Sequence, residues 1–259
     1  MSKLFVKNEK TIMEKQDYIY GIRAVIEAMD SGREIDKIML RRGAEGENIA
    51  MINTLAKEYN IPLQRVPAEK LDRITRKNHQ GVIALLSAVT YHKLENLVPE
   101  IYERGKVPFL LVLDGITDVR NFGAIARTAL CAGVDAIVIP ETGSVSVGAD
   151  AVKTSAGALL HIPVCRVKNL AHCLTFLEEN GYKLLAVSEK ATTNYTDANY
   201  TVPVALVMGA EDRGISPHIF KACSEKVSIP MYGPVESLNV SVAAAVLMYE
   251  VVRQRSSDL

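Results

Sequence analysis

Residues 109–140 read FLLVLDGITDVRNFGAIARTALCAGVDAIVIP, and the fold class turns on this stretch. The runs Phe109 to Leu113 and Ala136 to Pro140 have the length and apolar character of strands buried on both faces. Between them, Phe122 to Ala132 spaces its apolar residues as a helix does. Strand, helix, strand in this order is the pattern of an α/β protein with a parallel sheet.

The alternation continues toward the C-terminus. Helices are expected over Ala149 to Leu159, Leu170 to Asn180 and Val240 to Arg253, with strands over Ile162 to Val167, Lys183 to Val187, Val204 to Met208 and Lys226 to Pro230. On the other side the pattern weakens between Thr90 and Pro108, where a short amphipathic stretch is closed by Gly105 and Pro108. Further upstream, Gly21 to Met29 and Ile49 to Tyr59 read as helices, and Lys37 to Leu40, Ile61 to Val66 and Val82 to Val89 as strands. The expected organisation is a polar, Lys-rich flexible tail over 1–16, a small α/β domain over 17–90, a linker over 91–108 and a larger α/β domain over 109–259.

Composition bounds the function. The chain has 259 residues, 48% apolar and 23% charged, the balance of a globular protein. No run approaches the roughly 18 uncharged apolar residues of a membrane span, and charge breaks up the first ten residues, so neither a membrane partner nor a signal peptide is expected. Cys131, Cys165, Cys173 and Cys223 form no C-x-x-C pair, which points to reduced thiols and a cytoplasmic protein. His161 and Cys165 lack two further zinc ligands, and Pro163 lies between them, so no metal site is expected. Thirty basic and thirty acidic side chains leave a formal net charge of zero, a mark against a protein that coats nucleic acid. Local basic clusters at Arg41–Arg42 and at Arg73, Arg76 and Lys77 could still steer a polyanion, although each alone reads as a solvated face.

Three loops hold more glycine and polar residues than a connection needs. Each follows a buried strand, where ligands sit in open α/β sheets. In Leu113 to Ala129, Asn121 can cap the next helix, Gly123 permits close approach in its first turn, and Arg127 lies about two turns in. In Val207 to Ser216, Gly209 and Gly214 bracket Glu211, an acceptor of hydrogen bonds. In Ile229 to Glu250, Ser237 and Asn239 precede a helix whose Val240, Ala244, Leu247 and Val251 share a face. No G-x-G-x-x-G or P-loop is present, which weighs against a dinucleotide-dependent oxidoreductase.

Together these segments resemble the SpoU (TrmH-like) family of RNA ribose 2′-O-methyltransferases, in the SPOUT class. The family's N-x-G-x-x-x-R appears as Asn121, Gly123 and Arg127, its G-x-E-x-x-G as Gly209, Glu211 and Gly214, and its S-L-N-V-S as Ser237 to Ser241. The match covers Phe109 to Arg255. The resemblance implies a parallel sheet whose C-terminal segment threads a deep trefoil knot, a homodimer formed near it, and a bent S-adenosylmethionine held around Gly209, Ile229 and Leu238, with Met208, Ala210, Gly214 and Met231 beside them. It also implies that Arg127 orients and polarises a ribose hydroxyl, that Asn121, Glu211, Ser237 and Asn239 hold Arg127, the ribose and the loops in place, and that a neighbouring RNA phosphate takes the proton.

The upstream domain resembles the small ribosomal-protein-like RNA-binding domain that precedes the knot in many members. That likeness favours a guanosine of 23S ribosomal RNA as target over transfer RNA. A catalytically silent RNA-binding protein is the rival reading, and the intact Arg127 and Asn239 argue against it.

Overall fold

A computed structural model describes residues 18–256; the tail expected over 1–16 lies outside them. The described chain divides into two compact units at Ala88/Val89.

In the first unit, strands β1 (Tyr18–Tyr20), β2 (Ile35–Arg41), β3 (Leu63–Val66) and β4 (Val82–Leu86) form a sheet ordered β1-β4-β2-β3. The β2–β3 pair is parallel and the other two pairs are antiparallel. Helices α1 (Ile22–Asp30) and α2 (Glu47–Glu58) cover one face through Val25, Met29, Ile49 and Ile52. On the other face Leu71, from the short helix α3 (Ala68–Asp72), joins Met39, Val66 and Ile83.

The second unit is built on eight strands, and every pairing in it is parallel. In chain order they are β5 (Tyr91–His92), β6 (Phe109–Asp114), β7 (Ala136–Pro140), β8 (Val164–Val167), β9 (Lys183–Val187), β10 (Thr193–Asn194), β11 (Val204–Gly209) and β12 (Glu225–Ser228). In space the order is β10-β12-β9-β11-β6-β7-β8-β5. The helices are α4 (Leu94–Glu103), α5 (Val119–Cys131), α6 (Ala149–Thr154), α7 (Leu170–Glu179), α8 (Pro217–Ala222) and α9 (Val240–Ser256).

Alternate residues of each central strand face opposite layers, as the two-residue period of a strand requires. Phe109, Leu111 and Leu113 of β6 enter one core with Phe122 and Ile125 of α5 and Ala244, Leu247 and Val251 of α9. Leu110 and Val112 enter the other, with Val98 and Ile101 of α4, Leu174 and Leu177 of α7 and Ile219 of α8. Both faces are therefore covered, which is why β6 is apolar at every position before Asp114 at its end.

Three expectations need correction. Residues 91–108 are not a free linker: β5 extends the large sheet, and α4 buries Leu94, Leu97, Val98 and Ile101 in its core. The helix expected over Ala149 to Leu159 ends at Thr154. Ala156 and Gly157 take left-handed conformations, with φ of 51° and 85°, and a 3-10 turn follows over Ala158–Leu160. The cap of α5 is Asp118 rather than Asn121, and its side chain accepts from the backbone N–H groups of Arg120 and Asn121 at 2.9 and 2.8 Å. Asn121 thus sits in the first turn with its own amide free for other work.

Candidate active site

The three motif loops leave the carboxyl ends of β6, β11 and β12 and meet at one edge of the large sheet. Side-chain hydrogen bonds join them. Asn121 donates through Nδ2 to Glu211 Oε2 at 2.9 Å, and Asn239 donates through Nδ2 to Asn121 Oδ1 at 3.0 Å and to Glu211 Oε1 at 3.1 Å. Asn239 Oδ1 caps α9, accepting from the backbone N–H and the hydroxyl of Ser241 at 2.9 and 2.6 Å. Glu211 offers acceptors only, so it fixes which way both amides point, and each of the three residues comes from a different motif.

Backbone geometry closes the middle loop. Ala210 and Gly214 exchange two backbone hydrogen bonds, at 3.1 and 2.8 Å, across a turn that carries Glu211, Asp212 and Arg213 outward. A Cβ on Gly209 would collide with the main chain of Gly214 and Ile215. That glycine is needed first for closing its own loop. At the base, the carboxylate of Asp114, the last residue of β6, accepts from the backbone N–H and the hydroxyl of Ser216 at 2.7 and 2.5 Å and ties the loop to the neighbouring strand. In α5, a Cβ on Gly123 would run into the side chain and main chain of Thr154, so this glycine sets the approach of α6.

Beside the network lies a cavity of about 270 Å³. Met208, Gly209, Ala210, Gly214, Ile229, Met231 and Leu238 all line it, as do Glu211 and Ser237. Its walls are mixed: buried Met208 and Ala210 are apolar, whereas the backbone from Met231 to Leu238 makes no backbone hydrogen bond among the described residues. A ligand with a flat heteroaromatic part could take those backbone groups while its apolar faces meet Met208, Ile229 and Leu238. The cavity also draws on Val187 at the end of β9 and on Ser188, Glu189 and Lys190 after it, which the sequence reading passed over. The polar Ser-Glu-Lys directly after a buried strand was the available signal.

Arg127 stands apart. It is exposed on α5, does not line the cavity, and makes no hydrogen bond or ion pair among the described residues. Asn121, Glu211 and Asn239 bond one another rather than Arg127, which corrects the expectation that they hold it. Ser237 lines the cavity but makes no hydrogen bond among the described residues. Among the described residues there is no group of three or more His, Cys, Asp or Glu placed to hold a metal ion, and no helix long and apolar enough to cross a membrane.

Comparison with known proteins agrees with this geometry. Residues 108–249 match the SpoU rRNA methylase family, and residues 18–92 match the family described as RNA 2′-O ribose methyltransferase substrate binding. The chain is a member of the SpoU family of RNA methyltransferases. This SpoU protein is 37% identical to YacO of Bacillus subtilis (strain 168), assigned to the TrmH family of tRNA/rRNA methyltransferases, over 94% of this chain and 98% of that protein. It is 39% identical to a Staphylococcus haemolyticus (strain JCSC1435) protein of the same assignment, over 92% of this chain and 95% of that one. In fold it is similar to the SpoU methyltransferase AviRb from Streptomyces viridochromogenes, crystallised with AdoMet, with a TM-score of 0.59 at 21% identity, covering 98% and 99% of the two chains. The first unit of the SpoU protein is thus a substrate-binding domain and the second a SpoU domain.

Proposed function

We propose that this protein transfers the methyl group of S-adenosylmethionine to the 2′-hydroxyl of a guanosine in large-subunit ribosomal RNA. One observation carries the reading: two of the three separated motifs line a single cavity, and Asn121 of the remaining motif is locked to them by hydrogen bonds with Glu211 and Asn239. When bound there, S-adenosylmethionine supplies the methyl electrophile ready-made. Met208, Gly209, Ala210, Gly214, Ile229, Met231 and Leu238 would hold it, and what remains for the protein is to orient and activate the hydroxyl.

Orientation carries much of such a rate, because an in-line displacement needs the reacting atoms about 3–3.5 Å apart. The Asn121–Glu211–Asn239 network fixes the loops that frame the cavity, and Ser237 presents a hydroxyl at its wall. Arg127, exposed and without a protein partner, is available to RNA; in this reading its guanidinium orients the ribose hydroxyl, and a neighbouring RNA phosphate takes the proton. A guanidinium always carries its full set of protons and has no lone pair to accept another, so it is no general base and the proton goes elsewhere.

The deep trefoil knot belongs to the same reading. Strand β12 lies outside β9, yet α9 returns across the sheet to pack on α5 and β11. On that path residues 229–238 meet Ser188 to Lys190 around the cavity. A homodimer and a cytoplasmic location complete the proposal.

The test is incubation with labelled S-adenosylmethionine and protein-free ribosomal or transfer RNA, then alkaline hydrolysis. A 2′-O-methyl group blocks cleavage at its own nucleotide, so label in an alkali-resistant guanosine dinucleotide of the large-subunit RNA is expected. Label confined to transfer RNA would move the target, and no label on any RNA would favour a silent RNA-binding protein. Arg127→Ala should keep S-adenosylhomocysteine binding by calorimetry while turnover falls by orders of magnitude; near-normal turnover would remove Arg127 from the mechanism.

A further inference from the structure

Two basic clusters, each unremarkable in the sequence, come together in the first unit. Strand β2 ends at Arg41, which pairs with Val66 of β3 and donates its N–H to Gly81 O at 2.8 Å. Arg42 follows, bonded through its N–H to Val66 O at 2.8 Å. Arg65 lies beside them on β3, its Nη1 3.5 Å from Ala44 O. The loop from α3 to β4 carries Arg73, Arg76 and Lys77 and closes on the same edge. His79 anchors it, with Nε2 2.9 Å from Asp72 and Nδ1 accepting from Gly81 N at 3.0 Å. Gly81, with φ of +77°, lets the Arg41 side chain lie against its backbone: a Cβ there would sit 3.2 Å from Arg41 Cβ. Lys77 Nζ stands 5.7 Å over the ring of Tyr20.

We infer that this edge of the small sheet, formed by Arg41, Arg42, Arg65, Arg73, Arg76 and Lys77, grips the phosphodiester backbone of the RNA substrate. The inference rests on the methyltransferase reading above and adds the place where the substrate is held. All six cations are exposed, and the guanidinium groups of Arg41, Arg42, Arg73 and Arg76 make no hydrogen bond or ion pair among the described residues. The carboxylates nearby do not neutralise them: Asp72 is engaged by His79, and Glu45, Glu47 and Glu69 form no ion pair with them among the described residues. Like charges so crowded repel one another unless a polyanion lies across them. Guanidinium forks match the paired oxygens of a phosphodiester, and an aromatic ring under a cation suits the same surface. The total charge of the chain is zero, so these six cations form a local excess of positive charge rather than part of a general one.

The experiment compares the full-length wild type with two alanine variants, Arg73→Ala/Arg76→Ala/Lys77→Ala and a control, Arg33→Ala/Lys57→Ala, at the opposite edge of the same unit. Binding of a protein-free large-subunit ribosomal RNA transcript is followed against salt, alongside S-adenosylhomocysteine binding and methylation kinetics. The triple variant should bind at least tenfold more weakly, with a salt slope shallower by about 2–3, since each lost phosphate contact removes about 0.7–0.9. Its KM for RNA should rise while kcat and S-adenosylhomocysteine binding hold, and Arg73→Lys/Arg76→Lys should restore most of the slope. An unchanged slope in the triple variant, an equal loss in the control, or no RNA binding by wild type overturns the assignment. A slope that depends on these residues without methyl transfer would keep the RNA grip and reject the enzymatic reading instead.

Discussion

Glu211 accepts from two amides at once, one at each carboxylate oxygen, and no other side chain of its length offers two acceptor oxygens. Glu211→Gln keeps the shape but replaces one acceptor with a donor, so an NH2 group of Asn121 or Asn239 must then face another NH2. The expected result is a fall in kcat of about tenfold or more, equivalent to about 1.4 kcal/mol, with little change in unfolding midpoint because the site is exposed. Wild-type turnover in that variant would strip the network of its positioning role. Gly209→Val should abolish S-adenosylhomocysteine binding in calorimetry, and the cause lies in the loop: the new side chain strikes Gly214 and Ile215 and opens the turn that carries Glu211. Retained affinity would show that the turn can reclose around it. At this scale the sequence exposed the residue types but not their pairings. Asn121 and Asp118 are both good caps three residues apart, and only the demand of Glu211 for a donor decides between them. The partners of Asn239 lie 28 and 118 residues away, beyond the reach of any local pattern.

Helices and strands were legible where burial imposed a period. Apart from Asp114 and Lys183 at strand ends, the central strands β6, β7, β9 and β11 carry no polar side chain because layers cover both faces, and α5, α7 and α9 show the spacing of helices packed on one side. The strands β1, β5 and β10, of two or three residues, and the short helices α3 and α8 show too little of a period to be read from sequence. Helix α4 did carry one, with Leu94, Leu97, Val98 and Ile101 at helical spacing, but Gly105 and Pro108 after it read as the punctuation of a linker. Contacts between elements bring their own predictions. Gly123→Ala should destabilise the protein by about 1–3 kcal/mol, because its Cβ meets Thr154 where α5 and α6 cross. Denaturant titration should show a lower midpoint at unchanged slope, and an unchanged midpoint would mean that the crossing relaxes freely. The last turns of α9 give a pH effect. Glu250 accepts from Arg253 at 2.8 and 2.7 Å and from Gln254 at 2.8 Å, and the bonds from Arg253 are the main cause holding its carboxyl below the ordinary 4.5. A folded pKa below the unfolded one stabilises above the unfolded value and is lost as pH falls through the folded value. The wild type should therefore lose more stability than Glu250→Gln on acidification from about 4.5 downward, as followed by thermal melts.

For the molecule as a whole, helix α9 poses a question that the single chain does not answer. Val240, Ala244, Leu247 and Val251 fill the core on one side. On the other side, Val242, Ala245 and Tyr249 recur at helical spacing, with Val242 49% and Tyr249 52% exposed. A surface helix normally turns charge to water, and a stripe that is apolar there is suited to a protein neighbour. A second copy of the chain is the neighbour the proposed homodimer supplies, and a twofold axis would set the same stripe against itself. Only the core-facing stripe was read from the sequence; the outer one shows as unpaired only once α9 is seen seated on α5. If the stripe is the dimer contact, sedimentation should give twice the chain mass for the wild type. Val242→Lys/Tyr249→Lys should then sediment as a single chain at micromolar concentration with its circular dichroism intact, because two buried lysines on each side would face their own copies without a counter-charge. A wild type that sediments as one chain would remove the homodimer, and a double-lysine variant that still pairs would place the contact on another surface.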